Sequence, residues 1–130
     1  MATIKTHRDL DIWQLSMDFV VDLYRITNTF PSHEKYRLVQ QIRCSAVSVC
    51  SNIAEGAARN HSGEFLQFLY IALGSVAEIE TQMEIALRVG YLTSIDKENI
   101  TLYRQRRMLK CLIEAIKEEK RDEENVTRKT

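Results

Sequence analysis

The stretch from Gln40 to Arg59 constrains the fold of this chain more than any other part of the sequence. Its apolar residues recur at steps of three and four, the spacing of one helical face: Ile42, Ala46, Val49, Ile53 and Ala57. Further apolar or small residues widen that face: Val47, Cys50, Ala54 and Ala58. A helix that is apolar nearly all round is buried between several partners. The stretch therefore predicts the central helix of an all-α protein.

A second, polar stripe runs along the same predicted helix: Gln41, Ser45, Ser48, Asn52 and Glu55. Buried polar groups need hydrogen-bond partners, so the stripe is expected to face other protein, a pore or ordered water. In one interpretation the serines let two helices approach closely, while Asn52 and Glu55 satisfy backbone groups at the helix end. In the other, Asn52 and Glu55 tie the helix to a neighbouring helix or subunit.

The rest of the chain also favours a few long helices. One proline and four glycines in 130 residues are too few for the many turns of a β-sandwich. Periodicity and capping residues predict helices at about 11–28, 33–58, 63–89 and 94–119, and their short connections predict an antiparallel up-down-up-down four-helix bundle over 9–119. Residues 1–8 are expected to fray, and the charged residues 120–130 to form a disordered tail.

The third and fourth helices differ in how well they can pack. The third carries an unbroken a/d seam, at Phe65, Leu69, Ala72, Val76, Ile79, Met83 and Ala86. The fourth has an apolar residue every seventh position, at Ile95, Leu102, Leu109 and Ile116, but its companion positions are mostly polar: Glu98, Gln105, Leu112 and Glu119. The fourth helix is therefore predicted to pack less completely. Gly90 is predicted to cap the third helix, and Gly56 either ends the second or lets a neighbour come close.

Composition and motifs argue against several function classes. The basic and acidic residues number eighteen each, so no net field attracts nucleic acid or membrane. No di-iron Glu-x-x-His pair, P-loop, G-x-S-x-G or HExxH motif occurs, so no enzyme, cofactor or metal site is expected. The three cysteines are expected to be reduced core residues. With no membrane span or signal peptide, a cytoplasmic location is expected.

A cluster of basic residues on the fourth helix is the candidate nucleic-acid-binding site: Arg104, Arg106, Arg107, Lys110 and Lys117. No acidic residue interrupts it between Arg104 and Lys110. Without base-reading motifs or an aromatic stacking platform, binding to structured RNA or DNA is expected to follow shape and charge. An ordinary solvated helix face is the alternative interpretation of these residues.

The sequence resembles a known family at a series of motifs. These are Phe30-Pro31, Glu34, Gln41, Arg43, Ala46-Val47-Ser48, Asn52-Ile53-Ala54-Glu55-Gly56, Phe65, Phe68, Ile71-Ala72, Gly74-Ser75, Glu78-Ile79-Glu80 and Gly90-Tyr91. Over roughly residues 9 to 117 the chain is similar to the four-helix-bundle proteins encoded in intervening sequences of bacterial 23S rRNA genes. That family is also related to the accessory protein of diversity-generating retroelements. One departure is Cys50, where the family commonly has a proline that would kink the helix.

The resemblance implies a four-helix bundle that assembles into a ring-like homopentamer, binds nucleic acid and has no catalytic activity. Self-assembly is also expected because the helices carry more apolar and small-residue surface than four antiparallel rods need. A protein-only adaptor, docking a larger partner such as a reverse transcriptase, is the alternative function. It predicts no nucleic-acid affinity of its own.

Overall fold

The structure, a computed structural model, describes residues 6–129 and the side chains of residues 6–128. Within that range all the regular secondary structure is helical, and there is no strand. The four α-helices are α1 (Asp11–Thr27), α2 (Leu38–Ala58), α3 (Ser62–Arg88) and α4 (Asp96–Lys129), with two short 3₁₀ turns at His7–Asp9 and Ser32–Glu34. The all-α class and the four predicted helices are therefore confirmed.

The four helices share one hydrophobic core. Among the described residues, α1 packs on α2 and α4, and α3 packs on the same two helices, whereas the backbones of α1 and α3 do not come close to each other. Every predicted a/d residue of α3 is buried, and so are the four apolar seam residues of α4. The a/d spacing predicts this because its side chains all project from one side of a helix.

Gly90 ends α3 in the predicted way. Its φ of +88° lies in the left-handed region, which favours glycine. The amide of Gly90 donates to the Leu87 carbonyl oxygen at 3.1 Å, and the amide of Tyr91 donates to the Ala86 oxygen at 2.9 Å. These two bonds form a Schellman motif, which satisfies carbonyl groups that the helix end would otherwise leave free.

Gly56 stays inside α2 and lets α3 approach closely, the second of its two predicted roles. A Cβ atom added at Gly56 would lie 2.8 Å from Cβ of Phe68 and 2.9 Å from Cδ1 of Phe65. Both distances are shorter than real Cβ contacts allow, so only glycine fits here without a shift of the neighbouring helix. The packing of α3 on α2 thus depends on this position.

The ends of α2 and α4 correct the predicted boundaries. α2 begins at Leu38 rather than near residue 33, because Ser32 provides no side-chain cap and the preceding residues form 3₁₀ bonds instead. α4 continues to Lys129, so the predicted disordered tail is wrong over the described residues. The segment lacks glycine and proline, is rich in good helix formers, and extends a helix that is already nucleated.

The predicted frayed N-terminus is partly corrected. Residues 1–5 lie outside the described range. From Thr6 onward the chain is ordered by a capping box, in which the Thr6 side chain accepts from the Arg8 amide and the Asp9 carboxylate accepts from the Thr6 amide. The reciprocal bonds satisfy amides that open a helical turn, which is why this short segment has a fixed conformation.

Candidate nucleic-acid interface

Three of the five candidate cations lie together on the outer side of α4. Arg104, Arg107 and Lys110 follow one another at steps of three, and all three are exposed. No hydrogen bond or ion pair joins any of them to another described residue. This surface, called the α4 basic face below, therefore offers three cations that have no ion-pair partner in the described part of the chain.

The other two candidates point toward α3 and are engaged there. Arg106 forms an ion pair with Glu80, which compensates its charge. The ammonium of Lys117 lies 3.5 Å from a carboxylate oxygen of Glu114 and 5.7 Å from the centre of the Tyr70 ring. Hydrogen bonding to Tyr70 raises the pKa of Lys117, and the charge of Glu114 adds to this effect. The structure thus does not bring all five residues into one patch.

Apolar side chains flank the α4 basic face on the same helix. Ile100 and Tyr103 are exposed one turn before Arg104 and Arg107. Toward the C-terminus the exposed carboxylates of Glu114 and Glu118 bound the cationic segment, as the sequence indicates. The face is therefore short, about two helical turns, and it holds an exposed aromatic ring beside its cations.

The polar stripe of α2 faces α3 of the same chain at its centre. Ser45 is buried and Ser48 is half-buried. The hydroxyl of Ser75 donates to the Ser48 hydroxyl oxygen at 2.9 Å, and the amide of Gln82 donates to the Ser45 hydroxyl oxygen at 3.2 Å. The serines thus find partners within the chain while their small size keeps α2 and α3 close.

The remaining stripe residues form no hydrogen bond to another described helix. The Asn52 amide donates to the carbonyl oxygen of Ser48 at 2.8 Å. Glu55 is exposed and accepts from Arg59 at 3.2 Å, one turn further along the helix. Gln41 is also exposed. Within the chain these contacts favour the interpretation that the stripe serves its own helix, and a tie to a neighbouring subunit stays a prediction.

A second group of basic and aromatic residues lies where α1 ends and α2 begins. Tyr36 is 78% exposed beside Lys35, and the guanidinium of Arg43 stacks on the Tyr24 ring at 4.4 Å from its centre. The chain thus has exposed aromatic rings beside cations at this corner, and the expectation that it lacks an aromatic stacking platform stays a prediction. The run Lys35-Tyr36-Arg37, an aromatic ring between two cations, is the sequence feature that predicts this arrangement.

The three cysteines differ in burial. Cys50 is buried, and burial raises its pKa to about 11, so it stays a thiol. Cys44 and Cys111 are exposed, which corrects the expectation that all three cysteines lie in the core. Between residues 6 and 129, histidine, cysteine and acidic side chains form no cluster of three that could ligate a metal, and no helix is long and apolar enough to cross a membrane.

Comparison with known proteins gives a family and a fold. The family model described as 23S rRNA-intervening sequence protein matches residues 8–113 of the chain. A crystal structure of a protein with unknown function from the S23 ribosomal protein family of Bacteroides thetaiotaomicron is similar, with a TM-score of 0.71 and 24% sequence identity. The similarity covers 79% of this chain and 95% of that one, and at such an identity it shows the fold alone. No curated protein matches the chain.

Proposed function

This chain belongs to the 23S rRNA-intervening sequence protein family, and we propose that it is a non-enzymatic, self-assembling four-helix bundle that binds structured RNA or DNA through the α4 basic face. The observation that carries this proposal is that Arg104, Arg107 and Lys110 are exposed, unpaired among the described residues, and on one side of one helix. Cations so placed attract the phosphates of a nucleic-acid backbone, and each neutralised phosphate releases counterions.

The up-down-up-down arrangement is part of the proposal. Contacts between α2 and α3 support it, because the residue numbers rise along one helix as they fall along the other. Ser45 meets Gln82, Ser48 meets Ser75, and Gly56 meets Phe68. The short connections at 59–61 and 89–95 are also typical of antiparallel neighbours, whereas the α1–α2 connection at 28–37 is longer.

Assembly into a ring is supported by two separate apolar surfaces. Met17 and Val21 are exposed on α1, and Ile71 and Ile85 are exposed on α3. Because the described backbones of α1 and α3 do not come close to each other, these helices lie diagonally across the bundle and present these residues on different sides. Two different complementary patches are what a head-to-tail ring requires. We propose a homopentamer, in line with the family resemblance, in which each subunit contributes one copy of the α4 basic face and thereby adds avidity.

The proposal is tested by titrating an RNA hairpin into the full-length protein and measuring filter retention at several salt concentrations. Affinity is expected to fall steeply with salt, and the double variant Arg104→Glu/Arg107→Glu is expected to abolish retention without changing the melting temperature. The control, Arg121→Glu/Arg128→Glu, makes the same change in net charge at the end of α4 and should retain the hairpin. Equal loss in both variants would contradict a defined site, because binding would then follow net charge.

A protein-only adaptor that docks a larger partner, such as a reverse transcriptase, is the second candidate. The exposed apolar residues Met17 and Val21 favour it, because a partner protein could cover them as well as another subunit could. This function predicts no hairpin retention by the wild type even at low salt. Light scattering separates the two uses of the apolar residues, since the ring predicts a mass of several subunits in the absence of any partner.

A further inference from the structure

A groove of about 520 Å³ lies at the corner between the end of α1 and the start of α2. Its walls include Tyr24, Lys35, Tyr36, Gln40 and Arg43. A smaller cavity of about 230 Å³ continues it past the α1–α2 connection and shares Lys35 and Arg43 with it. The groove is formed by α1 and α2, whereas the basic face lies on α4. The groove was not predicted from the sequence.

The walls of the groove are mostly apolar, and the only charge on them is positive, although the chain as a whole is neutral. Lys35 and Arg43 contribute positive charge, and no aspartate or glutamate lines either cavity. The uncharged polar groups are donors and acceptors such as those of Gln40 and Asn28. A concave surface with one sign of charge concentrates ligands of the opposite sign, so the groove favours an anion.

Arg43 is held rigidly and still has donors to offer. Its Nε donates to the hydroxyl of Thr27 at 3.0 Å, and its Nη2 donates to the Tyr24 carbonyl oxygen at 3.2 Å and to Oδ1 of Asn28 at 3.0 Å. The stack on the Tyr24 ring fixes the plane of the guanidinium. Its Nη1 makes no hydrogen bond to any residue between 6 and 129, so two N–H groups of a preorganised guanidinium remain for a ligand.

Tyr36 gives the groove an exposed aromatic wall. Its side chain is the most exposed of the large hydrophobic residues in the described chain, and the ammonium of Lys35 lies 5.4 Å from its ring centre. An isolated exposed tyrosine stabilises no core, so packing does not explain its position. Proteins that bind single-stranded nucleic acid place aromatic rings, on which bases stack, beside cations that track the phosphates.

We propose that this groove binds a single-stranded segment of nucleic acid, with one unstacked base against Tyr36 and the adjoining phosphates at Lys35 and Arg43. The ligand fits the charge because phosphates are anionic, and it fits the wall because every base has a flat face. The site is separate from the α4 basic face and stands or falls independently of it. Together the two sites suit an RNA in which a duplex adjoins an unpaired segment.

The test uses full-length protein and a short fluorescent oligouridylate, with fluorescence anisotropy at low and at physiological salt. Tyr36→Ala is expected to weaken binding about tenfold, because it removes the stacking ring, while Tyr36→Phe keeps it. Lys35→Glu is expected to weaken binding and to lower the salt slope by about one. Tyr70→Ala is the matched control, because Tyr70 is also exposed and also lies beside a lysine, yet it is outside the groove.

Three results would overturn the proposal. One is the absence of oligouridylate binding by the wild type at low salt. Another is unchanged affinity in both Tyr36→Ala and Lys35→Glu. The third is a changed assembly mass for Tyr36→Ala in light scattering, which would make the groove a contact between subunits. The Arg104→Glu/Arg107→Glu variant separates this site from the α4 basic face, since it should lose the hairpin and still bind the oligouridylate.

Discussion

The α2–α3 and α1–α4 interfaces both bury polar side chains, but they differ in how closely the two helices pack. Between α2 and α3, Ser48 pairs with Ser75 and Gly56 brings the helices close. Gln82 donates to Ser45 across the same interface, and its Oε1 atom is buried without a partner among the described residues. Between α1 and α4, Ser16 and Gln105 are each only 1% exposed and pair with one another at 3.0 Å. The Gln105 Oε1 atom is likewise buried without a partner among the described residues, which lowers the stability of that interface, and there no glycine brings the two helices close.

The difference teaches where the stability of the domain is concentrated. α2 and α3 are long helices that contact each other extensively, whereas α1 is the shortest of the four α-helices. Elements with fewer buried apolar contacts open at a lower free energy. α1 is therefore expected to detach from α4 before α2 and α3 separate, and hydrogen exchange should show earlier loss of protection in α1.

The largest expected effect on stability comes from truncating a core side chain of α3. Leu69 is fully buried, and Leu69→Ala should lower the free energy of unfolding by about 2–5 kcal/mol, measured by urea denaturation. Leu23→Ala removes the same atoms from α1, where Leu23 is also fully buried. Because α1 is less firmly held and can shift to fill a cavity, Leu23→Ala should lower the free energy of unfolding by less than Leu69→Ala does. An equal or larger loss for Leu23→Ala would refute the comparison.

Closing the space between α2 and α3 should have the next largest effect. Gly56→Ala places a methyl group against Phe65 and Phe68 and should cost about 1–3 kcal/mol in the free energy of unfolding. Gly74→Ala is the matched control, because nothing lies within 4 Å of its added Cβ. Alanine is the better helix former, so Gly74→Ala should stabilise by about 0.5–1 kcal/mol. If Gly56→Ala also stabilised the protein, the close approach would not matter.

Local sequence patterns predicted most of the fold. The α3 seam and the Gly90 cap follow from side-chain spacing and from the φ preference of glycine, which act within a few residues. The extent of α4 did not follow, because low hydrophobicity indicates disorder only for a segment without a folded neighbour. The start of α2 at Leu38 also escaped prediction, since Ser32 is a good capping residue that makes no cap in the structure.

The candidate site was predicted only in part, because contacts between residues on different helices could not be predicted. Arg104, Arg107 and Lys110 are exposed as expected, because they lie away from the buried seam of α4. Arg106 instead meets Glu80, which lies 26 residues away in sequence and on another helix. The groove depends on Arg43 reaching Tyr24, 19 residues earlier. Such pairings arise from packing, which residue spacing within one helix does not encode.

Repairing the α1–α4 interface should change stability modestly. Ser16→Ala removes the partner of the Gln105 amide and should cost about 1–2 kcal/mol in the free energy of unfolding. The double variant Ser16→Ala/Gln105→Leu replaces both polar groups and also removes the unpaired Oε1 atom, so it should be at least as stable as the wild type. If the double variant were as unstable as Ser16→Ala, the buried pair would contribute to stability rather than limit it.

The smallest expected effect on stability concerns a hydrogen bond between the α1–α2 and α3–α4 connections. The Tyr91 hydroxyl, in the α3–α4 connection, donates to Oε2 of Glu34 at 2.8 Å, in the α1–α2 connection. This hydrogen bond raises the pKa of Tyr91 above its usual value of 10.0, and burial and the Glu34 charge raise it further. The neutral tyrosine is thus favoured in the folded state.

A raised pKa in the folded state gives stability that is present below the unfolded value and is lost as pH rises through the folded one. Tyr91→Phe should therefore be slightly less stable than the wild type at pH 7, and the gap should narrow above a pH of about 10, where Tyr91 ionises and is repelled by Glu34. Urea denaturation at pH 7 and above pH ~10 measures the difference in the free energy of unfolding between Tyr91→Phe and the wild type. Tyr103→Phe is the control, because its exposed hydroxyl has no hydrogen bond to a described residue. A gap for Tyr91→Phe that does not change with pH would mean that the hydrogen bond to Glu34 does not stabilise the folded state.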